Sequence, residues 1–148
     1  MTFRFSLQAV LRFRASLEHQ QELLLQQAHQ NAAAVRRKIE TLDHRLAENT
    51  ALTMRELKAG AHAAQLHFEM LCRASLLEYR HKLETELIEC EKLCQRRSLD
   101  YRLARQQREV LDRLRNQRLE VYRLEEARRQ QQRLDELFLW RREFLRRG

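Results

Sequence analysis

Cys90 and Cys94 stand one helical turn apart, and His81 precedes them in a segment with no helix-breaking residue. A zinc site would need two further ligands converging on that face. Both cysteines instead fall on an apolar heptad seam, where small hydrophobic side chains belong. Packing is therefore the expected role, with reduced thiols. The six histidines (His19, His29, His44, His62, His67 and His81) form no HExxH or paired-ligand pattern and suit solvated helix faces. No serine sits in a nucleophile elbow, and no glycine-rich loop is present to cradle a phosphate. Neighbouring carboxylates such as Glu125 and Glu126 are ordinary on a helical surface. The sequence thus predicts no catalytic residue, no metal and no cofactor.

Arginine is the remaining chemistry. Residues 95–148 hold sixteen Arg against nine acidic residues, a balance of +7, whereas residues 1–94 balance at +1. Arg102, Arg105, Arg108, Arg115 and Arg118 would make a phosphate-binding stripe on a basic helix. Asp100, Glu109, Asp112, Glu120, Glu125 and Glu126 are interspersed, many three or four residues from an Arg. Such spacing supports the helix through local ion pairs and dilutes the field. A solvated face or docking to an acidic protein surface is favoured over nucleic acid. A membrane-surface helix would want a cleaner apolar face than this stripe offers.

The elements that carry these residues follow from what is missing. The 148 residues include no proline, and the only interior glycine is Gly60. Proline costs about 3 kcal/mol and glycine about 1 kcal/mol inside a helix, so loop-rich domains use both freely. Charged residues make up 34% and aromatics 7%, a coiled-coil composition. The expected fold is all-α: two long helices in an antiparallel coiled-coil hairpin with a C-terminal helical overhang, a single elongated domain over 1–148. Helix 1 is expected at about 6–57 with Ser6 as N-cap, the turn at about 58–62, and helix 2 at about 63–146. No apolar run approaches the roughly 20 residues of a membrane span, and no signal peptide is visible, so a cytosolic chain is expected.

Along helix 1 the apolar steps are Leu17, Leu24, Ala28, Ala32, Val35, Ile39, Leu42 and Leu46. The 4-4 step through Ala28 reads as a stutter, and Asn49 continues the seam as a register-fixing polar residue. Helix 2 offers Leu76, Tyr79, Leu83, Leu87, Cys90, Cys94, Arg97, Tyr101 and Ala104. With the turn at Gly60, residue i is expected to face roughly 120 − i. About 30 residues of helix 2, roughly 45 Å, would then have no intramolecular partner. They keep Leu134, Leu137, Phe138, Trp140, Phe144 and Leu145, so a partner protein is expected to cover them.

Two end segments carry a family resemblance. Phe3-Arg4-Phe5-Ser6-Leu7-Gln8-Ala9-Val10-Leu11-Arg12-Phe13-Arg14 resembles the F-x-F-x-L-x-x-V-L-x-x-R opening of the flagellar export protein FliJ family. Gln131-Gln132-Arg133-Leu134-Asp135-Glu136-Leu137 is similar to that family's K/Q-x-L-D-E ending. The resemblance implies a role in type III export at the base of the flagellum, hence in motility. There an antiparallel coiled coil is held in the hexameric export ATPase, linked to the membrane export gate, and hands on empty export chaperones. By that implication Phe3, Phe5, Leu7, Leu11, Arg12 and Arg14, with Leu134, Asp135 and Glu136, belong to the ATPase-ring end. Arg128, Arg129 and Arg133 on the basic overhang are added to it. Leu42, Leu76 and Tyr79 fall in the gate region, around 38–49 and 72–83, where Lys38, Arg45, Asn49 and Cys72 depart from the family's aromatic and amide pattern. The implied location is cytoplasmic, peripheral at the inner membrane through the export apparatus. The equivalent stalk of a virulence-type injectisome, a structural coiled-coil scaffold and a basic nucleic-acid-binding helix remain alternatives.

Overall fold

The computed structural model describes residues 2–60 and 62–148; Met1 and Ala61, the latter inside the expected turn, lie outside the described residues. Two helices account for nearly all of it, with no strand among the described residues: α1 (Gln8–Lys58) and α2 (Ala63–Arg147). The fold is all-α, and the two helices pack against each other.

The break between them is built around Gly60. Its φ is +80°, a left-handed conformation that costs an L side chain roughly 1–2 kcal/mol. Gly60 N–H donates to the Leu57 carbonyl at 3.4 Å, and Ala59 N–H to Arg55 at 3.0 Å. Arg55 and Lys58 occupy the last turn of α1, where cations oppose the negative end of the helix dipole. On the far side, Gln65 and Leu66 both donate to the His62 carbonyl and open α2.

At the other end of α1, Ser6 does not act as the expected N-cap. Its Oγ accepts from Arg118 Nη1 at 2.9 Å. The first i→i+4 bond joins Leu11 N–H to Leu7, so the helix begins at Gln8.

Chain contacts divide the structure into two units, Met1–Glu18 with Leu103–Gly148, and His19–Arg102. In the second, Val35, Leu42 and Leu83 form a buried cluster against which Ile39, Leu76, Leu87 and Cys90 pack. Arg36 pairs with Glu91 at 3.3 Å, Arg80 with Asp43 at 2.6 Å, and Thr53 Oγ1 bonds Glu69 at 2.9 Å. In the first unit Arg14 donates to Gln107 at 2.7 Å, and Arg108 pairs with Glu18 and Asp112. Both sets of partners run antiparallel.

Three details differ from the sequence pattern. Burial along α1 steps through Leu11, Arg14, Glu18, Gln21, Leu25, Ala28, Ala32 and Val35 in unbroken threes and fours, so no stutter exists. Polar Glu18 and Gln21 keep the heptad phase, and an apolar-only reading passes over them. On α2 the seam position after Leu76 is Arg80; Tyr79 lies outside it and is 49% exposed. Arg80 takes the site because Asp43 and Glu84 satisfy its guanidinium there. The pairing is also shifted: 120 − i would set Ser6 against 114 and Asp43 against 77, but they meet Arg118 and Arg80. Gly60 caps α1 rather than marking the midpoint of the reversal, so the centre lies farther along.

Within the first unit the Phe3 ring meets Tyr122 at 5.5 Å between centroids. Glu126, one turn farther, is still half-buried, and every residue from Ala127 to the end of α2 at Arg147 is exposed: about 21 residues, roughly 31 Å, shorter than the expected overhang.

A Cβ built at Gly60 meets nothing within 4 Å, so only backbone strain opposes substitution. Gly60→Ala is expected to lower stability by about 1–2 kcal/mol and Gly60→Asn by less, measured by urea denaturation followed by circular dichroism.

Candidate partner-binding surfaces

The seam decides which predicted residues can meet a partner. Phe5 and Leu11 are buried, 7% and 6% exposed. Arg118 lies over the Phe5 ring at 5.6 Å, a cation–π contact that holds α2 against the N-terminal segment. Phe3 and Leu7 are half-buried, and Arg14 spends a guanidinium N–H on Gln107. Of the predicted N-terminal group, Arg12 alone is exposed.

Arg12 belongs to a concavity of about 430 Å³ lined by Phe3, Arg4, Phe5, Gln8, Arg12 and Arg115. No acidic side chain lines it. Sequence reading placed Arg115 only in a stripe along α2 and missed Arg4, because the two are 111 positions apart and only the pairing of the helices brings them together.

The predicted C-terminal group stands differently. Arg128, Arg129, Arg133, Leu134, Asp135 and Glu136 are all exposed, on turns of α2 beyond Tyr122. They share a unit with Phe3–Arg14 but not one patch, since the N-terminal residues lie alongside 107–122. Arg129 approaches Glu126 at 3.9 Å, and Gln131 donates to Asp135 at 3.1 Å. Farther on, Leu137, Phe138, Trp140, Phe144 and Leu145 are 66–76% exposed.

The residues expected at an export gate divide as well. Leu42 is 3% exposed and belongs to the core, and Leu76 packs against it. Tyr79 faces outward beside a concavity of about 290 Å³ lined by Arg37, Lys38, Thr41, Leu42, Arg45 and Tyr79. Lys38 and Arg45 form no ion pair among the described residues. On the opposite edge of α1, Arg36 and Asp43 both find partners on α2.

Cys72, Cys90 and Cys94 are free and half-buried. Among the described residues no group of three His, Cys, Asp or Glu comes together to hold a metal ion. None of the helices is long and apolar enough to cross a membrane, among the described residues.

Compared with protein-family models, curated proteins and solved structures, the chain matches none.

One perturbed carboxyl sits near the turn. The Glu56 carboxyl is held above its usual 4.5 by a hydrogen bond with Glu69, by burial, and by the negative charge of Glu69; Gln65 works in the opposite direction. An acid whose folded pKa is raised stabilises the fold when protonated and loses that contribution as pH rises through its titration. Glu56→Gln keeps the neutral form at every pH. Thermal unfolding between pH 4 and 7.5 is therefore expected to show the parent chain losing more stability with rising pH than Glu56→Gln does.

Proposed function

We propose that the chain is a non-enzymatic stalk of a flagellar type III export apparatus, as its resemblance to the FliJ family implies. In this role it inserts into the hexameric export ATPase ring, promotes assembly and hydrolysis, and reaches toward the membrane export gate. One observation supports it above others: among the described residues, the last 21 or so of α2, from Ala127, are all exposed and present arginines and large apolar side chains.

An axle surrounded by six equivalent neighbours needs contacts that are sparse and polar, because tight fixed pairing would lock it. Arg128, Arg129 and Arg133, spread around the exposed helix, meet that requirement; Leu134 supplies an apolar contact and Asp135 and Glu136 set orientation. Phe3, Phe5, Leu7, Leu11 and Arg14 serve the ring end indirectly, by fixing the N-terminal segment against α2. Arg12 contributes a free cation. At the gate, Tyr79 and the cations beside it present the contact surface, while Leu42 and Leu76 support it from the core. Empty export chaperones are the third partner class, and the chain works at the cytoplasmic face of the inner membrane through these partners.

Reversing charge in Arg128→Glu/Arg129→Glu/Arg133→Glu is expected to cut stimulation of the export ATPase severalfold. Helical content should not change, since all three side chains are exposed. Co-purification with the ATPase and hydrolysis assays with and without the chain measure this. Unaltered stimulation by the triple variant would remove the ring-end assignment, and failure to bind the ATPase at all would favour a scaffold.

A further inference from the structure

The concavity at the start of α1 holds three guanidiniums and no acid. Arg4 comes from the N-terminal segment, Arg12 from the second turn of α1 and Arg115 from α2. Arg4 and Arg12 are exposed and Arg115 is half-buried. None of the three has an ion-pair or hydrogen-bond partner among the described residues. Arg115 Nε is shielded from solvent and has no acceptor among the described residues. A shielded donor without an acceptor forfeits about 1–3 kcal/mol, more when charged, unless a ligand supplies the missing oxygen.

The surroundings add to the positive field. No acidic residue occupies the first turn of α1, and none occurs in the sequence before Glu18. The helix N-terminus contributes its own partial positive charge. Asp112, the acid nearest in sequence to Arg115 on α2, is taken by Arg108. Arg118, next to the site, is engaged with Ser6 and the Phe5 ring and cannot turn inward without breaking both.

We propose that Arg4, Arg12 and Arg115 form a binding site for a phosphate-type oxyanion, either free phosphate or the terminal phosphoryl group of a small molecule. Guanidinium forks match the oxygen spacing of phosphate and bind it in bidentate fashion. Three of them call for more than one negative charge, which favours a phosphate dianion over a single carboxylate. The open volume of about 430 Å³ accommodates a phosphoryl group with a substituent. Gln8 on the same wall offers an amide donor for a further oxygen. This site does not depend on the ATPase partner proposed above.

The test is titration of the full-length ¹⁵N-labelled chain with inorganic phosphate at constant ionic strength, chloride being the balancing anion. The Arg115 Nε–H resonance is expected to shift saturably. Arg12→Gln, a change at an exposed side chain, should weaken binding roughly tenfold or more, as loss of one charged hydrogen-bond contact implies. Arg115→Gln should abolish it. The paired change Arg142→Gln/Arg146→Gln, remote in the overhang, should leave it intact. A second titration with adenosine monophosphate separates sources: tighter binding than phosphate points to a phosphoryl-bearing molecule, equal or weaker binding to the free anion. A linear, unsaturable response, or equal loss in the overhang variant, reduces the effect to counterion association and overturns the site. So does a shift produced by hexaglutamate but not by phosphate.

Discussion

Two helices alone can cover only one narrow strip of each other, and every other property of this fold depends on that strip. Roughly two residues in seven face the partner helix, so burial is confined to a single seam. Among the described residues the buried set is short: Phe5, Leu11, Ala28, Ala32, Val35, Leu42 and Leu83. Apolar burial of this kind fixes that the helices pair but resists a one-heptad slip weakly, because Leu and Ala recur at every turn. Polar seam residues supply the resistance. Half-buried Glu18 would lose Arg108, and half-buried Arg80 would lose Asp43 on the edge of α1, in any such slip.

The same narrowness leaves the flanks open. Edges of a coiled coil normally exchange ion pairs between helices. One edge of α1 does so through Arg36 and Asp43, while Lys38 and Arg45 on the other edge face Tyr79 and solvent. At the start of α1 the three arginines of the N-terminal concavity are similarly unmatched. These cations gain nothing from the intramolecular fold, and their field is directed at whatever anionic surface approaches.

A stalk role is compatible with this distribution of work. The seam holds the helices in register, and the exposed turns of α2 beyond Tyr122 carry arginine and aromatic side chains outside the paired region. Separation of the two tasks matters physically. A residue such as Phe5 or Leu42 cannot leave the seam to bind a partner without loosening the hairpin, whereas Arg128 or Trp140 can be covered at no cost to it.

The absence of proline, the lone interior glycine and the heptad steps of Val35, Ile39 and Leu42 were enough to establish two long helices reversing near position 60. Those are local properties: helix propensity and a left-handed turn are decided within a few residues. Asn49 and Arg97 were legible as polar members of the seam, but Glu18, Gln21 and Arg80 were not, since they look solvent-facing until the helices are paired. Nor could the sequence separate Leu42, a core residue, from Tyr79, a surface one, when each fits the apolar stripe of its own helix. Pairing the helices decided what spacing could not. Side chains ninety or more positions apart, Glu18 with Arg108 and Arg4 with Arg115, become neighbours only when the chain doubles back, and their burial follows from that register alone.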